Sequence, residues 1–225
     1  RLLLANPRGF CAGVDRAIAA VERALEEYGP PVYVRRHIVH NQGVVDALAA
    51  KGAVFVRELA EVPQGAVTVL SAHGVPQAVL REAAERQLRT LDTTCPLVAK
   101  VHGEVVDHYH AGRHILLIGH QGHPEIVGTL GQVPRGAISV IGSLEDLAAL
   151  SLPANTSVAY AVQTTFSVQD SAGIGSAILA RFADVAAPRS SERQANTTVA
   201  FSRASCTAAA LPMPELAPVM STVFP

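Results

Sequence analysis

The 225-residue sequence alternates between short apolar runs and longer segments with helical periodicity. Each apolar run predicts a strand, and each is followed by a loop and then by a predicted helix. The predicted strands cover residues 2–5, 32–39, 53–56, 66–71, 114–119, 137–141 and 157–162. Repeated strand–loop–helix units are typical of parallel sheets, because a helical crossover is the usual link between parallel neighbours. The sequence therefore predicts an α/β fold.

The strand–loop–helix units form two sets, and the division between them falls near Cys95. The predicted helices cover residues 14–28, 44–51, 77–88, 96–110, 147–150 and 168–182, with a short helix after residue 125. We expect two lobes of parallel sheet with flanking helices, over residues 1–95 and 96–189. Beyond them, a polar segment leads into an aperiodic stretch with four prolines, which predicts an irregular tail over residues 190–225.

Composition and charge narrow the class of protein. Hydrophobic residues make up 49% of the chain and charged residues 16%, which indicates a globular protein with a large buried core. A formal net charge of -1 argues against a nucleic-acid-binding protein, which usually carries a basic stripe. No apolar run reaches the roughly 18 residues that a membrane span needs, and no signal peptide is evident. We expect a cytoplasmic protein without a nucleic-acid or membrane partner.

The three cysteines are widely spaced and include no C-x-x-C pair, which argues against a disulfide framework and against a zinc ribbon. Cys11 and Cys95 each fall between a strand and a helix. Free amide groups and the helix dipole favour a thiolate at such a position. The alternative for either cysteine is a buried and unreactive side chain, which is the usual fate of a lone cysteine.

Seven residues with reactive side chains follow predicted strands. They are Cys11, His40, His73, Cys95, His123, Glu125 and Thr164. Because ligands bind at the carboxyl ends of parallel strands, these residues could line one cleft if the two lobes face each other. Each of them also has a local alternative: the histidines as caps or turn residues, Glu125 as a first-turn carboxylate, and Thr164 as a backbone partner. His102, His108, His110 and His114 lie on or just after a helix, and we interpret them as surface or packing residues.

The types of side chain in this set indicate a particular kind of ligand and reaction. Histidines together with helix N-termini suit an anion such as a phosphate. Two thiolates from separate loops, with a third from elsewhere, can hold an iron–sulfur cluster. A carboxylate beside a hydroxyl can relay protons. The combination indicates a reductase of a phosphorylated substrate, and the alternative is a phosphate- or zinc-binding α/β module that uses the histidines and Glu125.

Six ordered motifs carry a resemblance to a known family. They are ANPRGFCAGVDRA at 5–17, VHN at 39–41, SAHGV at 71–75, DTTCPLV at 92–98, GHQGHPE at 119–125 and QTT at 163–165. In this order they resemble the 4-hydroxy-3-methylbut-2-enyl diphosphate reductase family, and the resemblance covers about residues 2–189. It implies an iron–sulfur oxidoreductase of the last step of the non-mevalonate isoprenoid pathway. The family fold has three α/β lobes around a central four-iron four-sulfur (4Fe-4S) cluster.

The resemblance also implies roles for single residues. Cys11 and Cys95 match two of the three cluster ligands, and His40, His73 and His123 match residues that hold the substrate. Glu125 matches the proton-relay acid, and Thr164 matches the hydroxyl beside it. The family takes an allylic alcohol diphosphate, removes its hydroxyl as water, and forms isopentenyl and dimethylallyl diphosphates. A ferredoxin- or flavodoxin-type carrier supplies the electrons.

The sequence departs from the family pattern after Arg189. The family continues there with a third cysteine, an Asn-Arg-Gln segment and a third lobe, whereas Cys206 stands in a different context. We expect that Cys206 is not a cluster ligand. This departure leaves open the alternative that the chain is a truncated and inactive two-lobe fragment of the enzyme.

Overall fold

The computed structural model describes residues 9–189. Within this range two four-stranded sheets are formed, and all neighbouring strands in both are parallel. The first sheet contains β1 (Val32–Arg35), β2 (Ala53–Val56), β3 (Val67–Leu70) and β4 (Arg89–Asp92), in the order β2-β1-β3-β4. The second sheet contains β5 (His114–Ile118), β6 (Ile138–Ile141), β7 (Ser157–Val162) and β8 (Asp184–Ala186), in the order β6-β5-β7-β8. The predicted α/β fold with parallel sheets is therefore confirmed.

Seven α-helices accompany the strands in the described part of the chain. They are α1 (Ala12–Tyr28), α2 (Gln42–Ala50), α3 (Gln77–Glu85), α4 (Pro96–His110), α5 (Pro124–Leu130), α6 (Leu144–Ala149) and α7 (Val168–Arg181). A short 3-10 helix covers Leu59–Glu61. None of these helices is both long enough and apolar enough to cross a membrane.

Strand β5 of the second sheet is a near-continuous apolar run because both of its faces are buried. The side chains of β5 from Ile115 to Ile118 are fully buried. Ile115 and Leu117 pack with residues of α4 and α5, whereas Leu116 and Ile118 pack with residues of α6 and α7. Both faces of the sheet are therefore covered by helices, as expected for a parallel sheet.

The two sheets lie on either side of Cys95 in the sequence, and α4 packs against β5 and β7 of the second sheet. We therefore propose that one lobe ends at residue 95 and the next begins at residue 96. Below, the first lobe means residues 9–95 and the second lobe means residues 96–189. The predicted strand at 2–5 and the predicted tail at 190–225 lie outside the described residues.

Several element boundaries differ from the sequence predictions, and each difference has a local cause. Strand β1 ends at Arg35 instead of residue 39, because Arg36 adopts a left-handed backbone with a φ of 59°. Helix α3 ends at Glu85 instead of residue 88, and Gln87 has a φ of 54°. Helix α6 begins at Leu144 because the Ser143 side chain caps it, accepting from the Asp146 amide. Strand β8 is short and was not predicted, and β4 is the strand expected before Cys95, for which no bounds were predicted.

Candidate active site

Three histidines from both lobes form one cluster at the carboxyl ends of the strands. His40 and His73 follow β1 and β3 in the first lobe, and His123 follows β5 in the second. The ring centroids of His40 and His73 are 4.6 Å apart, and each lies 5.7 Å from the ring of His123. These three residues are called the histidine cluster below. The predicted cleft requires residues of both lobes to meet, and these three histidines do so.

Helix starts and turns place these imidazoles. His40 directly precedes Asn41, whose side chain caps α2 by accepting from the Val44 amide at 3.1 Å. His123 is itself the N-cap of α5, and its Nδ1 accepts from the Glu125 amide at 3.2 Å. Pro124 occupies the first position of α5, which suits proline because the missing N–H has no partner in a first turn. The cluster therefore borders the N-terminus of a helix, where an anion is favoured.

Two rings of the histidine cluster, His73 and His123, favour the neutral form in the absence of a ligand. Burial, together with the neighbouring His40 and His123, lowers the pKa of His73 to about 4. The pKa of His123 is also lowered, first by burial and then by His40 and His120. Since protonating one ring disfavours protonating the next, an anion between them would relieve this repulsion. The cluster is therefore suited to bind a negatively charged group together with protons.

Glu125 and Thr164 meet behind the cluster. The Thr164 amide donates to Glu125 Oε1 at 2.7 Å, and the Thr164 hydroxyl donates to Glu125 Oε2 at 2.9 Å. Only 2% of Glu125 is exposed. Burial raises the pKa of this carboxyl, and the two hydrogen bonds from Thr164 oppose that rise. A buried carboxyl with a raised pKa can hold a proton for transfer to a bound ligand.

The two predicted cysteine ligands also come together. Cys11 is the N-cap of α1 and Cys95 is the N-cap of α4, although neither side chain makes a capping hydrogen bond. A Cβ atom added to Gly13 would lie 3.0 Å from Cys95 Sγ and 3.8 Å from Cys11 Sγ, so both thiols border the space beside this glycine. The Cys95 amide donates to the Ala72 carbonyl at 3.0 Å, which ties this cysteine to the loop of His73.

Two thiols beside one glycine suit the soft thiolate ligands that iron–sulfur clusters require. Between residues 9 and 189 no group of three histidine, cysteine or acidic side chains is arranged to hold a metal ion. Cys206 lies outside the described residues, so its predicted exclusion from the ligand set stays a prediction.

A cavity of about 380 Å³ opens beside the histidine cluster. It is lined by Arg36, His37, His40, Arg57, Glu58, Ser71, His73 and Pro124. Glu58 accepts from Arg35 at 2.7 Å and from Arg36 at 2.8 Å, and these contacts lower its pKa against the effect of burial. The lining is rich in arginine and histidine, which suits an anionic ligand.

Gln163 also belongs to the site, although the sequence did not predict it as a site residue. Only 2% of Gln163 is exposed. Its Oε1 accepts from the His120 amide at 2.9 Å and its Nε2 donates to Thr165 Oγ1 at 2.8 Å. The side chain therefore joins the loop after β5 to the loop that carries Thr164. Gln163 directly follows a buried strand and precedes two threonines. This position could have indicated a site residue.

The fold and the site define an α/β protein with two parallel sheets, paired thiols, a cluster of three imidazoles and a buried carboxyl at the strand ends. A comparison with protein families matches residues 2–203 to the family described as LytB protein. The chain belongs to the LytB family. This match includes residues 190–203, which we predicted to be part of a non-matching tail.

Curated relatives carry the name 4-hydroxy-3-methylbut-2-enyl diphosphate reductase. Reductase 1 of Rhodopseudomonas palustris is 57% identical over 187 residues, which are 83% of this chain and 61% of that protein. Reductase 2 of Bradyrhizobium diazoefficiens is 58% identical over 185 residues, which are 82% of this chain and 60% of that protein. The chain thus spans about 60% of the length of these relatives.

A solved structure extends the comparison to the fold. The structure titled as the E-1-hydroxy-2-methyl-but-2-enyl-4-diphosphate reductase from Plasmodium falciparum matches with a TM-score of 0.79 and 38% identity. The match covers 82% of this chain and 58% of that one.

Proposed function

We propose that this chain belongs to an oxidoreductase that converts 4-hydroxy-3-methylbut-2-enyl diphosphate into isopentenyl and dimethylallyl diphosphates, the last step of the non-mevalonate isoprenoid pathway. The observation that carries the proposal is the histidine cluster, in which two lobes contribute imidazoles to one anion site beside Glu125. Membership of the LytB family and the names of the relatives support the substrate class.

His40, His73 and His123 bind the substrate in this proposal. A diphosphate carries several negative charges, and imidazoles can donate hydrogen bonds to its oxygens and take up protons on contact. The N-terminus of α5 adds backbone dipoles at His123. The substrate is thereby held with its other end free to approach Glu125.

Glu125 supplies the proton for the leaving group. The reaction consumes two electrons and two protons and releases the substrate hydroxyl as water. A buried carboxyl with a raised pKa keeps its proton until the hydroxyl departs, and Thr164 holds the carboxyl in one orientation by two hydrogen bonds.

Cys11 and Cys95 would hold a 4Fe-4S cluster as two of its ligands. When bound, this group supplies the electrons and acts as a Lewis acid toward the allylic end of the substrate. We propose a ferredoxin- or flavodoxin-type carrier as the electron donor, and the cytoplasm as the compartment. No nucleic-acid or membrane partner is part of the proposal.

The test is turnover by this chain after anaerobic reconstitution with iron and sulfide. The reconstituted protein is mixed with 4-hydroxy-3-methylbut-2-enyl diphosphate and dithionite-reduced methyl viologen, and the two product diphosphates are measured. We expect both products. Glu125→Gln should keep the iron content and lower turnover by about 100-fold or more, the usual contribution of a general acid. Glu145→Gln, on the exposed face of α6, is the matched control.

Two outcomes would overturn parts of the proposal. Near-normal turnover in Glu125→Gln would reject the proton role of this residue. An iron-loaded wild-type chain that forms neither product would reject reductase activity for this chain and favour the alternative of an inactive two-lobe fragment. The fragment alternative is supported by the length of the chain, which spans about 60% of each of these relatives.

A further inference from the structure

The two lobes are in close backbone contact where helix α5 meets the segment after His73. A Cβ atom added to Gly128 of α5 would lie 2.9 Å from the Gly74 carbonyl oxygen and 3.1 Å from its carbon. The His73 carbonyl oxygen would be 3.3 Å from the same atom. Backbone is difficult to displace, so any side chain larger than hydrogen at position 128 would force the two elements apart.

Hydrogen bonds fix the same contact on its far side. Gln132 Nε2 donates to the Val75 carbonyl at 2.8 Å. The Gln77 amide donates to the Gly131 carbonyl at 3.0 Å, and Gln77 Nε2 donates to Gln132 Oε1 at 2.8 Å. A Cβ atom on Gly131 would overlap Pro76, so this second glycine is also in close contact with the first lobe. The contact is therefore both tight and directional.

Gly74 is also packed closely against helix α4. It has a φ of +76°, and a Cβ atom added to it would lie 2.6 Å from His102 Cε1 of helix α4. The segment that follows His73 therefore contacts both α4 and α5 of the second lobe. An added atom at Gly128 would force this segment and α5 apart.

Displacing α5 would change the histidine cluster. Helix α5 begins after its N-cap His123, and Glu125 lies in its first turn. The segment that contacts α5 begins directly after His73. Forcing α5 away from this segment would therefore lengthen the distance of 5.7 Å between the rings of His73 and His123.

We propose that Gly128 is a positioning residue that sets the placement of the two lobes and thereby brings His123 to His73. The catalytic meaning of this role rests on the proposed function, because there the two histidines bind one diphosphate. The positioning itself is a statement about the ligand-free chain and is tested there.

The test is a set of ring-to-ring nuclear Overhauser effects in the 225-residue chain, wild type and Gly128→Ala. In the wild type we expect contacts of His40 with His73, and of His123 with both. In Gly128→Ala we expect the contact within the first lobe to remain and both contacts of His123 to be lost. Gly173→Ala in α7 is the matched control, because a Cβ atom there meets nothing within 4 Å. Retention of all three contacts in Gly128→Ala would overturn the proposal.

A second variant keeps the proposal testable if Gly128→Ala does not fold. Gln132→Ala removes the hydrogen bond to Val75 without adding an atom to the contact, and we expect weaker contacts of His123 with His73 and unchanged contacts of His40 with His73. Unchanged contacts throughout would overturn the proposal. Inorganic pyrophosphate separates this inference from the proposed function: absence of binding by the wild type counts against the anion site, whatever the ring contacts show.

Discussion

Glu125 and Thr164 are joined by two hydrogen bonds although 39 residues separate them in the sequence. Thr164 directs both its amide and its hydroxyl at the two oxygens of one buried carboxyl. Burial raises the pKa of Glu125 and these bonds lower it, so the pKa reflects two opposed effects. This balance can be changed at one atom.

Thr164→Val should raise the pKa of Glu125 further. The substitution removes the hydroxyl that donates to Oε2 and keeps the amide that donates to Oε1. Because a hydrogen bond to a carboxylate favours its charged form, losing one favours the protonated form. The measurement is a carboxyl ¹³C NMR titration of the chain.

Thr90→Val, at an exposed position of β4, is the control for that titration and should leave the pKa of Glu125 unchanged. An unchanged or lowered pKa in Thr164→Val would show that the hydroxyl does not stabilise the carboxylate.

Binding of inorganic pyrophosphate should be accompanied by proton uptake by His73 and His123. The pKa of His73 is about 4 and that of His123 is also lowered, so both rings are mainly neutral at about pH 7. A bound anion favours the protonated form and raises both pKa values. The observed enthalpy of binding in isothermal titration calorimetry should then depend on the ionisation enthalpy of the buffer.

His73→Asn distinguishes uptake by the protein from release by pyrophosphate itself. We expect fewer protons taken up per ligand in this variant than in the wild type at the same pH. Equal proton uptake in the two proteins would mean that His73 does not respond to the anion.

Gln163→Ala should destabilise the fold. The buried amide group accepts from His120 and donates to Thr165, and its removal leaves both loops without this link. Losing buried hydrogen bonds of this kind costs about 1–3 kcal/mol of the free energy of unfolding. Urea denaturation checks this value.

The exposed Gln169 of α7 offers the comparison for Gln163. Gln169→Ala should stay within about 0.5 kcal/mol of the wild type, as surface substitutions usually do. A loss in Gln163→Ala that is no greater than the loss in Gln169→Ala would contradict a linking role for the amide.

The fold could be predicted because its signals are local. The apolar run at 114–118 and the cap at Ser167 mark elements that the structure also contains. Cys95 before Pro96 likewise predicted the start of α4. The bounds of strand β4 were not predicted, because its residues are mostly exposed and its place is set by pairing with β3.

The site could be predicted only in part. Because parallel strands end at one edge, the positions of the reactive residues after strands indicated a shared cleft. The contact of Gly128 with Gly74 and the link through Gln163 depend on how distant segments pack, and no periodicity reports such packing. Arg36 and Glu58, which line the cavity, could not be predicted either, because they are joined by an ion pair between distant segments.

The most direct test of the account is the iron and acid-labile sulfide content of the chain after anaerobic reconstitution, in the wild type and in Cys11→Ser, Cys95→Ser and Cys206→Ser. The account predicts iron and sulfide in the wild type and in Cys206→Ser, and their loss in each of the other two variants. A Cys11→Ser or Cys95→Ser protein with the iron content of the wild type, or a wild-type chain that takes up none, would contradict it.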